Sequence, residues 1–359
     1  MSLAWTTAPR TLGRPFMFAV LCTVGGLVHS MDASAQTANP TLDQYLDRIG
    51  IDAKERAVAA RGVAVAKLLP TASNRDITVF GMIGVNVRGD TAVAHALDVE
   101  RFLAANTGGL HRFGVPPSAT DVRDAAFAES EYRDLRKCRR DDCRFKLPAA
   151  AMQGFVDQID WSSRDAKAQA DARLRDGLLS LVTDYSARGN AAMLTYDDVR
   201  GVRSGDVFTS LLEQAPDLYE YAPGLQRYLT DYPTVLPDGA RDFLYWSEDQ
   251  LPRLRPTLTV NHVVVYEPPD RPGQVVFVAR KQIYASHYFE GAFELLAIVN
   301  AGEPTGAPGA YILSVRRFRF DNLPGGLFNV RGRVRNQMVD QTRADLERQR
   351  ASLESVPGR

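Results

Sequence analysis

Between residues 257 and 320 the chain carries four runs rich in β-branched and aromatic residues, at 257–267, 275–289, 293–300 and 311–320. Only turns separate them: Pro268-Pro269-Asp270, Glu290-Gly291 and a Gly/Pro-rich loop at 302–309. A parallel crossover needs about a dozen residues or more, so these strands must pair as antiparallel hairpins. One earlier strand is expected at 77–87 (ITVFGMIGVNV), where Ile77, Val79, Ile83, Val85 and Val87 share a face. Gly81 and Gly84 within it allow a bend or a close approach. A last helix is expected at about 327–353, with Val330, Val334, Met338 and Leu346 near one stripe. Sheet and helix each need a partner for an apolar face, which makes the class α+β.

The rest reads mainly as helix. Residues 41–69 suit one or two helices broken at Gly50, and 91–105 has helical spacing through Val93, Leu97 and Phe102. Residues 106–150, with Pro116-Pro117, are irregular. Ser162 and Asp165 resemble a capping box ahead of Ala170, Leu174, Leu178, Leu181 and Tyr185 on one face. More helix is expected near 205–231, rich in tyrosine. The aromatic stretch from Tyr219 and Tyr221 to Phe243, Tyr245 and Trp246 suits packing between helix and sheet, with sugar stacking as the alternative.

The amino-terminal segment points to export. Arg10 and Arg14 precede an uncharged apolar run at 16–28, followed by Ala33-Ser34-Ala35, the small-x-small pattern of a cleavage site. The run is shorter than the roughly 20 residues a spanning helix needs. A signal peptide at 1–35 then leaves 36–359 as one domain with a helical insertion at about 106–232, working in the periplasm or outside the cell. Cys138 and Cys143 remain, and an even count in an oxidising compartment reads as one disulfide. With 43 acidic and 43 basic residues, net charge gives no long-range attraction to nucleic acid.

The order of one early strand, helices, a run of antiparallel strands and a long last helix resembles the helix-grip fold of the START-like (SRPBCC) superfamily. ITVFGMIGVNV, the strands from TLTVNHVVVYE to AYILSVRRFRF and the helix from Leu327 carry the resemblance, over roughly half of the mature chain. KQIYASHYFEGAFELLAIV is also similar to a stretch of exported bacterial proteins without an assigned activity. The helical section at 150–232 departs from the minimal family plan. The resemblance implies a curved sheet wrapped around the last helix, with a cavity between them for an apolar or lipid-like molecule. No cofactor is expected.

Sharp catalytic motifs are absent: no G-x-S-x-G, no H-E-x-x-H, no phosphate-binding glycine loop and no EF-hand. The densest polar cluster is 281–288 (KQIYASHY). Strand alternation puts Lys281 and His287 on one side with Ile283 and Phe289, and Gln282, Tyr284, Ser286 and Tyr288 on the other. His262 shares a face with Leu258, Val260, Val264 and Tyr266 and is expected to point inward. His262, His287 and Glu294 could converge as an acid/base set or an incomplete metal site. The alternatives are core histidines satisfied by hydrogen bonds, or a ligand pocket lined by His262, Lys281, Tyr284, His287 and Tyr288. Arg316, Arg317 and Arg319, with Arg331, Arg333 and Arg335, suit an anionic headgroup or membrane surface, or pairing with carboxylates such as Asp321. The leading expectation is therefore an exported binding or carrier protein. A hydrolase or cyclase, or a non-catalytic envelope assembly protein, are the alternatives.

Overall fold

The computed structural model describes residues 41–104, 109–199, 201–249, 255–321 and 330–355. The leader at 1–35 and the expected start of the last helix at Leu327 lie outside them. Helices α1 (Leu42–Arg48) and α2 (Ala53–Ala60) each open with a reciprocal capping box, Thr41 with Gln44 and Asp52 with Glu55. Gly62, at φ +76°, ends α2, and the chain continues as strand β1 (Val65–Leu69) where the spacing predicts helix. Strand β2 (Asp76–Val85) follows, then α3 (Gly89–Ala96), α4 (Val99–Ala104) and the short β3 (His111–Arg112).

Next come α5 (Tyr132–Leu135), α6 (Ala149–Asp157) and the long α7 (Ala166–Arg188). A two-stranded ribbon, β4 (Thr195–Tyr196) and β5 (Val202–Arg203), leads to α8 (Ser204–Glu213), α9 (Pro216–Tyr221) and α10 (Pro223–Asp231). The meander is β6 (Ala240–Asp249), β7 (Thr257–Tyr266), β8 (Val275–Ala285), β9 (Phe289–Asn300) and β10 (Ala310–Phe320), and α11 (Val330–Glu354) is last. In sequence β6 reads only as aromatic packing, because Arg241, Asp242, Glu248 and Asp249 at its ends mask the alternation. The expected strand at 275–289 is divided. A turn with Tyr288 at φ +62° separates β8 from β9, which starts at Phe289.

The main sheet has eight strands in the order β1-β2-β10-β9-β8-β7-β6-β3, each pairing antiparallel, and it is not closed. An antiparallel sheet commonly leaves one face to solvent. Here every residue of β2 and β7 is buried, because helices cover both faces. On one face Phe80, Val264, Phe277, Leu295 and Leu313 pack under α1, α7, α8 and α10. On the other, Val263, Val278, Leu296 and Ile312 pack under α3 and α11. The stripe expected on α7 is the stripe that is buried: Ala170, Leu174, Leu178, Leu181 and Tyr185.

One glycine sets the seat of α11. A Cβ on Gly81 of β2 would stand 2.7 Å from both Leu346 Cδ1 and Thr342 Cγ2, so only glycine lets the helix come this close. α11 thus lies over the β1–β2 end of the sheet, while α3 covers β8 and β9 near the 300 end. The remainder of this face, across the lower halves of β7 to β10, is spanned without being filled. A satellite core around Leu135, Phe145, Met152 and Phe155 includes Cys138, which stands at disulfide distance from Cys143 (Cα–Cα 4.5 Å).

Candidate functional site

The space between the sheet and α11 is a chamber of about 290 Å³. Three charged residues lie side by side across its floor because of strand register: Arg316 of β10 opposes Glu294 of β9, which opposes Arg280 of β8. Arg316 Nε donates to Glu294 Oε1 at 2.6 Å, and Arg280 Nη2 is 2.7 Å from Glu294 Oε2. From above, Asp345 of α11 accepts from Arg316, from Arg348 and, at 2.9 Å, from Gln341 Nε2. The spacing 341, 345, 348 and 349 puts these side chains on one face of the helix.

Burial opposes the charge on Glu294, but Arg316 and Arg280 outweigh it and hold the carboxyl down at about 2. Across the lining, four carboxylates (Glu248, Asp249, Glu294, Asp345) meet three guanidiniums (Arg280, Arg316, Arg348). The chamber is polar yet close to neutral. Among the described residues of the lining, Gln349 is 1 % exposed, and its Oε1 is sealed in without a hydrogen-bond partner. At one end Phe289 and Phe318, with ring centroids 5.8 Å apart, supply apolar surface.

A second polar system is buried on the opposite face of the sheet. His262 of β7 opposes Lys281 of β8 in register. Lys281 Nζ donates to Tyr185 Oη of α7 at 3.0 Å and also to Asn190 Oδ1. Tyr185 Oη is 3.0 Å from His262 Nδ1, and His262 Nε2 is 2.8 Å from Asp242 Oδ2. Asp242 also accepts from Tyr228 Oη of α10 at 2.6 Å. The ionised carboxylate only accepts, so Nε2 carries the hydrogen, Nδ1 accepts from Tyr185, and donation runs from Lys281 to Asp242.

Burial pushes the Lys281 ammonium well below its ordinary pKa. Burial also lowers His262, with Asp242 partly offsetting it. For Asp242 burial acts upward, but the bonds from His262 and Tyr228 win and the carboxyl is held below its usual range. The phenyl ring of Phe208 packs against Lys281 Nζ at 4.1 Å from its centroid. Packing leaves Lys281 no exposed surface, so the chain acts as a pin between α7, α10 and the sheet rather than as a site open to a substrate.

The expected histidine cluster does not assemble. His262 and Lys281 share one face and Glu294 the other, since Glu294 opposes Arg280, the neighbour of Lys281. His287 is tied elsewhere, with Nδ1 donating to Arg144 O at 2.8 Å and Nε2 at 2.6 Å from Glu131 Oε1. Tyr284 does not line the chamber; it faces the opposite way, in a small apolar recess under α7 with Leu174, Leu178 and Leu181. Tyr288 Oη accepts from the backbone of Arg255 at 3.1 Å.

Arg316 alone of the expected ligand residues lines the chamber, and both its carboxylate partners are protein. Arg317 faces Asp217, Arg319 holds Asp76, and Asp321 pairs with Lys146. Sequence reasoning missed Tyr185, Asp242, Arg280, Asp345 and Gln349. Register and helix placement bring them in, and neither is written in local spacing.

No protein-family model matches the sequence, and no curated protein matches it. Among the described residues no helix is long and apolar enough to cross a membrane, and no group of three or more His, Cys, Asp or Glu is arranged to hold a metal ion.

Proposed function

We propose that this chain is an exported binding protein of helix-grip-like plan that holds a small, neutral, hydroxyl-rich molecule between the sheet and the C-terminal helix. The observation that carries the reading is the lining of the chamber, where ions that already neutralise one another stand beside the Gln349 side chain and the rings of Phe289 and Phe318. Polar groups taken out of water must be met by hydrogen bonds, so a lining of amide, carboxylate and guanidinium edges favours a ligand that brings O–H groups. A hydroxyl both donates and accepts, which also suits the carboxylate and guanidinium edges around it. Phe289 and Phe318 offer a surface for the apolar face of a sugar ring.

A lipid tail suits this chamber poorly, because methylene groups would strip water from ions and return no hydrogen bonds. Among the described residues of the lining an anionic headgroup finds no spare cation, since Arg316 is held twice and Arg280 and Arg348 each face a carboxylate. The disulfide-distance pair Cys138–Cys143 and the leader pattern support an oxidising, extracytoplasmic setting.

The test is a neutral-glycan array followed by calorimetry on the purified protein. A sugar should bind, and Gln349→Leu should weaken it about tenfold, the loss of one hydrogen bond worth about 1.4 kcal/mol. Binding of fatty acids or amines in place of sugars, or of nothing at all, would overturn the reading.

A further inference from the structure

On the floor of the chamber, beside the row of ions, strand register sets Asn261 of β7 opposite Gln282 of β8. Both line the chamber and both are buried, at 3 % and 8 % exposed. A bulge in β8 keeps the space in front of them open. Val260 opposes Tyr284 and Asn261 opposes Gln282, so Ile283 is the extra residue. Unbroken alternation would put Tyr284 on the chamber face beside Gln282. Instead Ile283 and Tyr284 both join the core on the other face, and the phenol ring stays out of the chamber.

The hydrogen bonds around Asn261 fix which way its amide is turned. Ser247 Oγ donates to Asp249 Oδ1 at 3.0 Å, and Thr259 Oγ1 donates to Oδ2 at 3.2 Å. The carboxylate only accepts, so Thr259 gives it its hydrogen, and the Thr259 oxygen accepts from Asn261 Nδ2 at 3.0 Å. Among the described residues nothing meets Asn261 Oδ1 or the Gln282 amide, and unlike Gln349 Oε1 these atoms are not sealed in. The geometry points to this amide pair as the subsite that selects the ligand, by hydrogen bonding to two hydroxyls on neighbouring carbons. The assignment rests on the reading of the chamber as a site for a neutral, hydroxyl-rich molecule. Opposed side chains on antiparallel strands have Cβ atoms about 5 Å apart, so each hydroxyl of such a pair can reach one amide. Asn261 Oδ1 accepts the hydrogen of one hydroxyl, and Gln282 meets the other as donor or acceptor. A lone hydroxyl leaves one amide unmet. A secondary amide directs its N–H and C=O to opposite sides, so it meets one of two side-by-side amides and not both. A carboxylate brings no hydrogen to Asn261 Oδ1.

The experiment is calorimetric titration of the purified protein with D-glucose, D-galactose and D-mannose, then with the monodeoxy forms of the tightest binder. Loss of either of two neighbouring hydroxyls should weaken binding about tenfold, and loss of any other by less than about threefold. Asn261→Ala and Gln282→Ala, with circular dichroism checking that each folds, should each weaken the parent sugar about tenfold. Crossing sugars with variants identifies the contacts. Asn261→Ala should cost nothing further with one of the two deoxy sugars, and Gln282→Ala nothing further with the other. Sugar binding that ignores both substitutions, or that depends on hydroxyls not on neighbouring carbons, would overturn the subsite and leave the chamber standing as a sugar site. Failure of all three sugars to bind would overturn the subsite as well, and the glycan array then decides whether the reading of the chamber falls with it.

Discussion

Lys281 Nζ lies 3.0 Å from Tyr185 Oη, and the contact joins the centre of the sheet directly to the long helix above it. A lysine in such a place costs stability whenever it must be charged. In the unfolded chain the amine holds its proton up to about pH 10.4. In the folded chain burial makes it lose the proton at lower pH. Between those limits the unfolded state binds more protons, so stability rises as pH rises. Thermal melts from pH 7 to pH 10 should show Tm of the unaltered protein climbing relative to Lys281→Met. Parallel curves would mean that the lysine is charged and satisfied in the folded state.

The histidine further along the same run of hydrogen bonds acts in a lower window. His262 has its pKa lowered, chiefly by burial. Below about pH 6.5 the unfolded imidazole takes up a proton that the folded one resists, and stability falls by up to about 1.4 kcal/mol per pH unit. Asp242, also lowered, adds a separate loss only below the ordinary carboxylate range. Urea midpoints between pH 7 and pH 5 should therefore slope downward in the unaltered protein. In His262→Gln the same range should be nearly flat, even though the variant is less stable throughout.

How much of this is legible in the sequence differs element by element. The meander from β7 to β10, β2 and the buried stripe of α7 are readable because alternation and helical spacing are local. The inward direction of His262 follows from its neighbours Val260 and Val264. Its partners do not, since Tyr185 is visible only as one more core residue of a helix and Asp242 lies in a strand whose alternation is masked. Grouping His262, His287 and Glu294 assumes that neighbouring strands align them. Parity decides this: Glu294 faces Arg280, one residue from Lys281, and one residue is the other face of the sheet. The polarity of the chamber is hidden for a related reason. Asp345 and Gln349 belong to a helix whose position depends on one glycine contact far earlier in the chain.

That contact is itself testable. Gly81→Val would put branched atoms where Leu346 and Thr342 already stand 2.7 Å from a bare Cβ. Overpacking of this kind costs typically about 1–3 kcal/mol. The expected result is a lower denaturant midpoint, with faster amide exchange concentrated along α11 rather than along α7, which lies on the far face. Equal loss of protection on both faces would mean that α11 does not move as a separate layer.

The ion lattice of the chamber floor gives the largest expected effect. Arg316 serves two buried carboxylates at once, Glu294 below and Asp345 above. Arg316→Leu removes that link, leaving Glu294 with Arg280 and the Ser314 hydroxyl, and Asp345 with Gln341 and the half-exposed Arg348. Breaking one partner of a buried ion pair costs about 3–5 kcal/mol, because the remaining charge stays out of water. Glu294 also sets a pH signature. Its folded pKa of about 2 lies below the ordinary carboxyl value, so its contribution is present above that value and is lost as pH falls toward 2. In Arg316→Leu the carboxyl should rise toward its ordinary range, moving acid unfolding to higher pH. The double variant Arg316→Leu, Glu294→Leu should recover part of the loss, since it removes the charge that the single variant strands. A double variant less stable than the sum of the singles would show that Arg280 and Asp345 depend on Glu294 to stay buried, and that the floor is one cooperative lattice rather than a set of pairs.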